Sequence, residues 1–186
     1  MAVRRTVLLI ALINAMYFII EFYFGHRFNS VSLIGDSIDF LEDTSLNLLV
    51  AFAIGWSLRK RVLTGYFLAA LLLVPGITFL WIAIDQILSP ELPSGTGMSA
   101  IAFGALLVNI YCAYLIWDHK HLEGGLIKAA YYSARNDAIA NALTILAGVV
   151  TLISVSIIPD LVIGAIIFLL NASAAKEVIS AARKEV

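Results

Sequence analysis

The sequence predicts an all-α, polytopic membrane protein with six transmembrane helices and both termini in the cytoplasm. Three observations predict it. Hydrophobic residues make up 61% and charged residues 13% of the 186 positions, whereas a soluble domain carries about 25% charged residues. The apolar residues fall into six runs, each near the roughly 20 residues that cross a bilayer as a helix. Lysine and arginine gather in alternate connections, the pattern that fixes orientation. Six such helices use up the chain, so 1–186 reads as one transmembrane domain with no soluble domain.

The spans fall at about 6–24, 31–56, 62–88, 98–117, 127–157 and 160–175. The first follows Arg4 and Arg5 and continues through aromatics to Gly25 without a small-residue cleavage site, which makes it a retained helix rather than a signal peptide. The third contains Pro75-Gly76, a kink point. The sixth opens after Pro159, and a polar amphipathic tail follows it. Arg4 and Arg5, then Arg59, Lys60 and Arg61, then Lys120 and Lys128, then Lys176, Arg183 and Lys184 all lie on one side. The other side has only Arg27. Positive charge marks the cytoplasmic face, which suits a multi-pass protein of the cell (inner) membrane.

Several function classes drop out. A net charge of -1 suggests neither nucleic acid nor a polybasic lipid contact. The single cysteine, Cys112, excludes an intrachain disulfide and a cysteine metal cluster. There is no paired-histidine helix motif, no nucleophile beside a base and no phosphate-binding glycine loop, so an enzyme is not expected.

The chemistry lies in the second span. Asp36, Asp39, Asp43 and Asn47 are spaced i, i+3, i+7 and i+11, which places them on one helical stripe. Glu42, about 100° round the helix from Asp43, falls on the edge of that stripe. Charges at membrane depth cost several kcal/mol unless they face a protein interior or a water-filled path. Asp39 and Asp43, one turn apart, can jointly hold a cation, and stacked bare carboxylates require protons or a metal between them. Asp36 reads as a proton-carrying or supporting group. In the fifth span Ser133, Asp137 and Asn141 share a face, so Asp137 can complete the site with Ser133 or Asn141 as a neutral oxygen ligand. Competing readings are acids merely solvated at a helix end and, for Asp137, a structural salt bridge to Arg135 or another helix. Arg135 itself pairs with Glu42 or Glu21, or snorkels to the interface. Asn14, Glu21, Asn109 and Asn171 read as interhelical hydrogen-bond partners, and Asp85 as solvated.

These residues resemble the membrane domain of the cation diffusion facilitator family of metal-cation/proton antiporters. The stretch Ser30 to Asp43 matches that family's second-helix pattern, Ser-x-x-Leu-x-x-Asp-x-x-(His or Asp)-x-x-x-Asp, and Asn14, Glu21 and Gly25 are similar to what precedes it. Asp137 with its following small residues fits the second half of the family's fifth-helix motif, and Ser133 stands where a histidine or aspartate is usual. Pro159-Asp160-Leu161 resembles the start of the family's sixth helix, and His119 and His121 sit in the fourth loop as family loops often have them. The chain ends shortly past the sixth span, so it reads as a short form without the family's C-terminal cytoplasmic domain.

The resemblance implies a divalent metal cation transporter that exports metal by proton antiport. Asp39, Asp43 and Asp137 are then the ion ligands, with Ser133 and Asn141 as further candidates and Asp36 behind them. The transported ion is zinc, cobalt, iron(II) or manganese. An all-oxygen set suits harder ions than the nitrogen and sulfur ligands of tetrahedral zinc. Expected partners are the bilayer, metal ions and protons, with a homodimer as an option and no nucleic acid. Alternatives are a sodium- or proton-linked transporter of another class and a degenerate homologue that does not transport.

Overall fold

The computed structural model describes residues 2–52, 56–117 and 125–170. Among these residues the chain is all-helical, in six α-helices and without strands: α1 (Ala2–Arg27), α2 (Val31–Phe52), α3 (Leu58–Leu88), α4 (Gly95–Trp117), α5 (Gly125–Ser154) and α6 (Ile158–Leu170). Their order matches the six apolar runs. α3 passes Pro75-Gly76 as one continuous helix. The amphipathic tail, Asn171 and the loop histidines His119 and His121 lie outside the described residues.

Among the described residues, three helical stretches are long and apolar enough to cross a membrane: Arg4–Arg27, Gly95–Trp117 and Asn136–Ser154. α2 carries Asp36, Asp39, Glu42 and Asp43 among its apolar residues, yet it is the central helix. It packs against α1, α3, α5 and α6, and every residue from Ser30 to Phe40 is buried. The surrounding helices turn large apolar side chains outward, among them Met16 and Ile19 of α1, Trp81 of α3, Tyr114 of α4, Ile153 of α5 and Leu169 of α6. Asn14, Glu21, Asp36, Gln86, Asn109, Asn141 and Asp160 are inside. Carboxylates within and isoleucine without is the arrangement that hydrocarbon, not water, rewards.

Local chemistry sets the α1–α2 corner. Asn29 adopts φ 53, a left-handed conformation that asparagine tolerates better than most residues. Ser30 N then donates to Gly25 O at 2.8 Å and Asn29 N to His26 O at 3.3 Å, the pair of bonds that closes a helix in a Schellman motif. Gln86 of α3 donates its side-chain amide to the Asn29 carbonyl.

The start of α2 is capped from far along the chain. Asp160, in the first turn of α6, is buried and accepts from Val31 N at 2.7 Å, Ser32 N at 3.0 Å, Ser30 Oγ at 2.9 Å and Ser32 Oγ at 2.5 Å. First-turn N–H groups have no partner within their own helix, and the positive end of the helix dipole favours an anion there. Just below, Gly164 lets the two backbones touch: a Cβ at that position would lie 2.8 Å from both Ser32 N and Val31 C. Gly148 likewise meets Gly95 of α4, where an added Cβ would stand 2.7 Å from the Gly95 carbonyl oxygen. Both glycines serve as points of close helix contact.

Candidate ion pathway

The α2 stripe faces inward along its length. Asp36, Asp39, Asp43 and Asn47 are all buried, so solvation at a helix end does not describe them. Asp43, Asn47 and Asp36 each meet a different neighbour. Asp43 Oδ2 accepts from Asn14 Nδ2 of α1 at 3.5 Å, and the Asn14 carbonyl accepts from Cys112 Sγ of α4 at 3.7 Å. Asn47 donates to the Asp43 backbone carbonyl at 2.7 Å, a bond within its own helix. Asp36 Oδ2 accepts from Asn141 Nδ2 of α5 at 2.5 Å, and Asn141 Oδ1 accepts from Asn109 Nδ2 of α4 at 2.9 Å.

Asp137 of α5 is partly buried. The charge that acts on it most is Asp43, followed by Asp39, Asp36 and Glu42. α2 and α5 thus bring their acids into one electrostatic neighbourhood. They do not close a cage: among the described residues no three Asp, Glu, His or Cys side chains stand near enough to enclose an ion. Ser133 falls one turn before Asp137 on α5, but its side chain, like that of Arg135, lies outside the described residues. Asn141 is engaged on both sides, by Asp36 and by Asn109, so its amide orients Asp36.

Two participants escape a reading by spacing. Glu21, which reads as interhelical glue, sits against Asp36 and feels Asp39 as well. Its sequence signals are a carboxylate in the middle of an apolar run and the family resemblance of Asn14, Glu21 and Gly25. Asp160 has a family motif around it but no periodic partner, because its partners lie 128 to 130 residues away.

A family model for the cation efflux transmembrane domain matches residues 7–181. The chain belongs to the cation efflux family. This is the cation diffusion facilitator membrane domain to which the α2 motif points. Among curated relatives, the domain is 26% identical over 152 residues to the zinc transporter ZitB of Yersinia pseudotuberculosis, covering 75% of this chain and 49% of the relative. ZitB of Escherichia coli is 26% identical over 151 residues, covering 74% and 48%. A cadmium, cobalt and zinc/H(+)-K(+) antiporter of Bacillus subtilis is 27% identical over 162 residues, covering 78% and 51%. The chain spans about half the length of the curated relatives it matches.

Proposed function

We propose that this cation efflux domain carries a divalent metal ion out of the cytoplasm in exchange for protons, with Asp39, Asp43 and Asp137 as its ligands. The proposal includes six membrane-spanning helices with both ends inside. The observation that carries it is the buried α2 stripe opposed by Asp137. Two carboxylates about 4 Å apart at an effective dielectric near 20 repel by roughly 4 kcal/mol. A third acid adds to that, and a dication drawn among them reverses the sign of the sum.

Proton coupling follows from the same oxygens. A carboxylate must lose its proton to bind metal, so protons and metal compete, and whichever is more concentrated on the exposed side displaces the other. The relatives named above are zinc or cadmium, cobalt and zinc carriers. Here Asp39 and Ser133 stand at positions where the family also uses histidine, which shifts the ligand set toward oxygen and toward harder ions such as manganese(II).

The test is transport in proteoliposomes with a pH dye inside. A gradient of manganese, iron(II), cobalt or zinc is expected to drive proton movement in the wild-type protein and none in Asp43→Ala. Proton movement driven by sodium alone, with no response to any of the four metals, would replace this reading with the monovalent one.

A further inference from the structure

A cavity of about 560 Å³ opens between the end of α1 and the connection from α3 to α4. Tyr23, Phe24, Arg27 and Phe28 line it from the α1 end, and Glu91 and Leu92 line it from the connection. The three aromatic rings follow one another as a wall: Tyr23 meets Phe24 with centroids 5.2 Å apart, and Phe24 meets Phe28 at 5.3 Å. α4 holds that wall in place, since a Cβ at Gly97 would lie 2.6 Å from the Phe28 ring. Arg27 and Glu91 are both exposed, carry opposite charges and line the same space. Among the described residues no ion pair joins them. A guanidinium presents a fork of donors that matches phosphate, and a carboxylate accepts from a primary ammonium. A ligand that carries both groups satisfies both side chains at once.

An apolar track leads away from the cavity. Leu12, Met16, Ile19 and Tyr23 recur at i, i+4, i+7 and i+11, one stripe of α1, and are 58%, 58%, 65% and 61% exposed. Arg27 continues that stripe one turn further on. At 1.5 Å per residue the rise from Leu12 to Tyr23 is about 16 Å, half of the roughly 30 Å hydrocarbon core. That is the depth of one leaflet. Tyr23 stands at the junction, where tyrosine is favoured at a membrane interface. Every span turns apolar side chains to lipid; this stripe differs in ending at two opposite charges beside an aromatic wall.

We infer that this end of α1 is a binding site for a phospholipid whose headgroup carries a phosphate and a primary ammonium. The phosphate lies on Arg27, the ammonium on Glu91 and an acyl chain along Tyr23, Ile19 and Met16. An anionic headgroup would set its charge against Glu91, and a choline headgroup has no N–H for Glu91 to accept. The site shares no residue with the Asp39, Asp43 and Asp137 cluster and does not depend on it.

Native mass spectrometry of the full chain, titrated with phosphatidylethanolamine, phosphatidylcholine and phosphatidylglycerol of identical acyl chains, tests the assignment. Phosphatidylethanolamine is expected to bind roughly three- to fivefold tighter than either of the others, the upper range of one exposed charged contact. Glu91→Gln should abolish that preference, Glu91→Asp should keep it, and Arg27→Gln should weaken all three lipids. Both residues are exposed, so the variants should fold; if they do not, the ranking on the wild-type protein decides alone. Glycerophosphoethanolamine, the same headgroup without chains, should not compete at equimolar concentration, because it has nothing to lay on the stripe. Equal binding of the three lipids, or a preference for phosphatidylcholine or phosphatidylglycerol, overturns the inference. So does a preference that survives in Glu91→Gln, or equimolar competition by the soluble headgroup.

Discussion

Asp160 offers the most direct way to perturb the fold without touching the acids of the pathway. Truncation to alanine removes the acceptor of two first-turn N–H groups, Val31 and Ser32, and of two hydroxyls, Ser30 and Ser32. The hydroxyls can turn elsewhere, but the two N–H groups cannot. A buried donor left without a partner costs about 1–3 kcal/mol, so with two of them Asp160→Ala should lower stability by roughly 2–6 kcal/mol. Asp160→Asn keeps one carbonyl acceptor but presents an N–H to the helix end, and should fall roughly midway. Unfolding in mixed detergent micelles gives the free energies, and hydrogen exchange locates the damage, which should appear first at the amides of Val31 and Ser32. An alanine variant within about 0.5 kcal/mol of wild type, the range of an ordinary surface change, with those amides still protected, would refute the reasoning.

Three further outcomes follow from the packing. Gly164→Ala places a Cβ 2.8 Å from Ser32 N and Val31 C, and since backbone cannot swing aside it should destabilise by about 1–3 kcal/mol in the same unfolding assay. Val155 ends α5 at φ 49 and is 72% exposed, so Val155→Gly should relieve roughly 1 kcal/mol of strain while losing little packing, seen as a higher midpoint of unfolding. Asn141→Ala removes the donor to Asp36 and should cost about 1–3 kcal/mol, with a much smaller effect on metal affinity, measured by calorimetry, than Asp43→Ala.

The helices were legible because apolar runs of that length have few other uses, and the α2 stripe was legible because i, i+3 and i+7 fix a shared face whatever the rest of the molecule does. A face does not name its partner. Asn141 shares a face with Asp137, which invites a ligand role, yet its amide is claimed by Asp36 and Asn109. Glu21 shares a face of α1 with Asn14 and Tyr17, and that face does not name Asp36 as its neighbour. Asp160 caps a helix that begins 129 residues earlier, a relation with no local trace. The close backbone contacts at Gly148 and Gly164 likewise join helices far apart in the chain and leave no local trace.

Calorimetric titration of the reconstituted protein with manganese, iron(II), cobalt and zinc, repeated on either side of neutral pH, tests the shared-ligand account most directly. Binding of at least one of these ions should tighten as pH rises, because protons compete for the same carboxylates, and should vanish in Asp43→Ala. Affinity that does not change with pH, or that survives in Asp43→Ala, would contradict it.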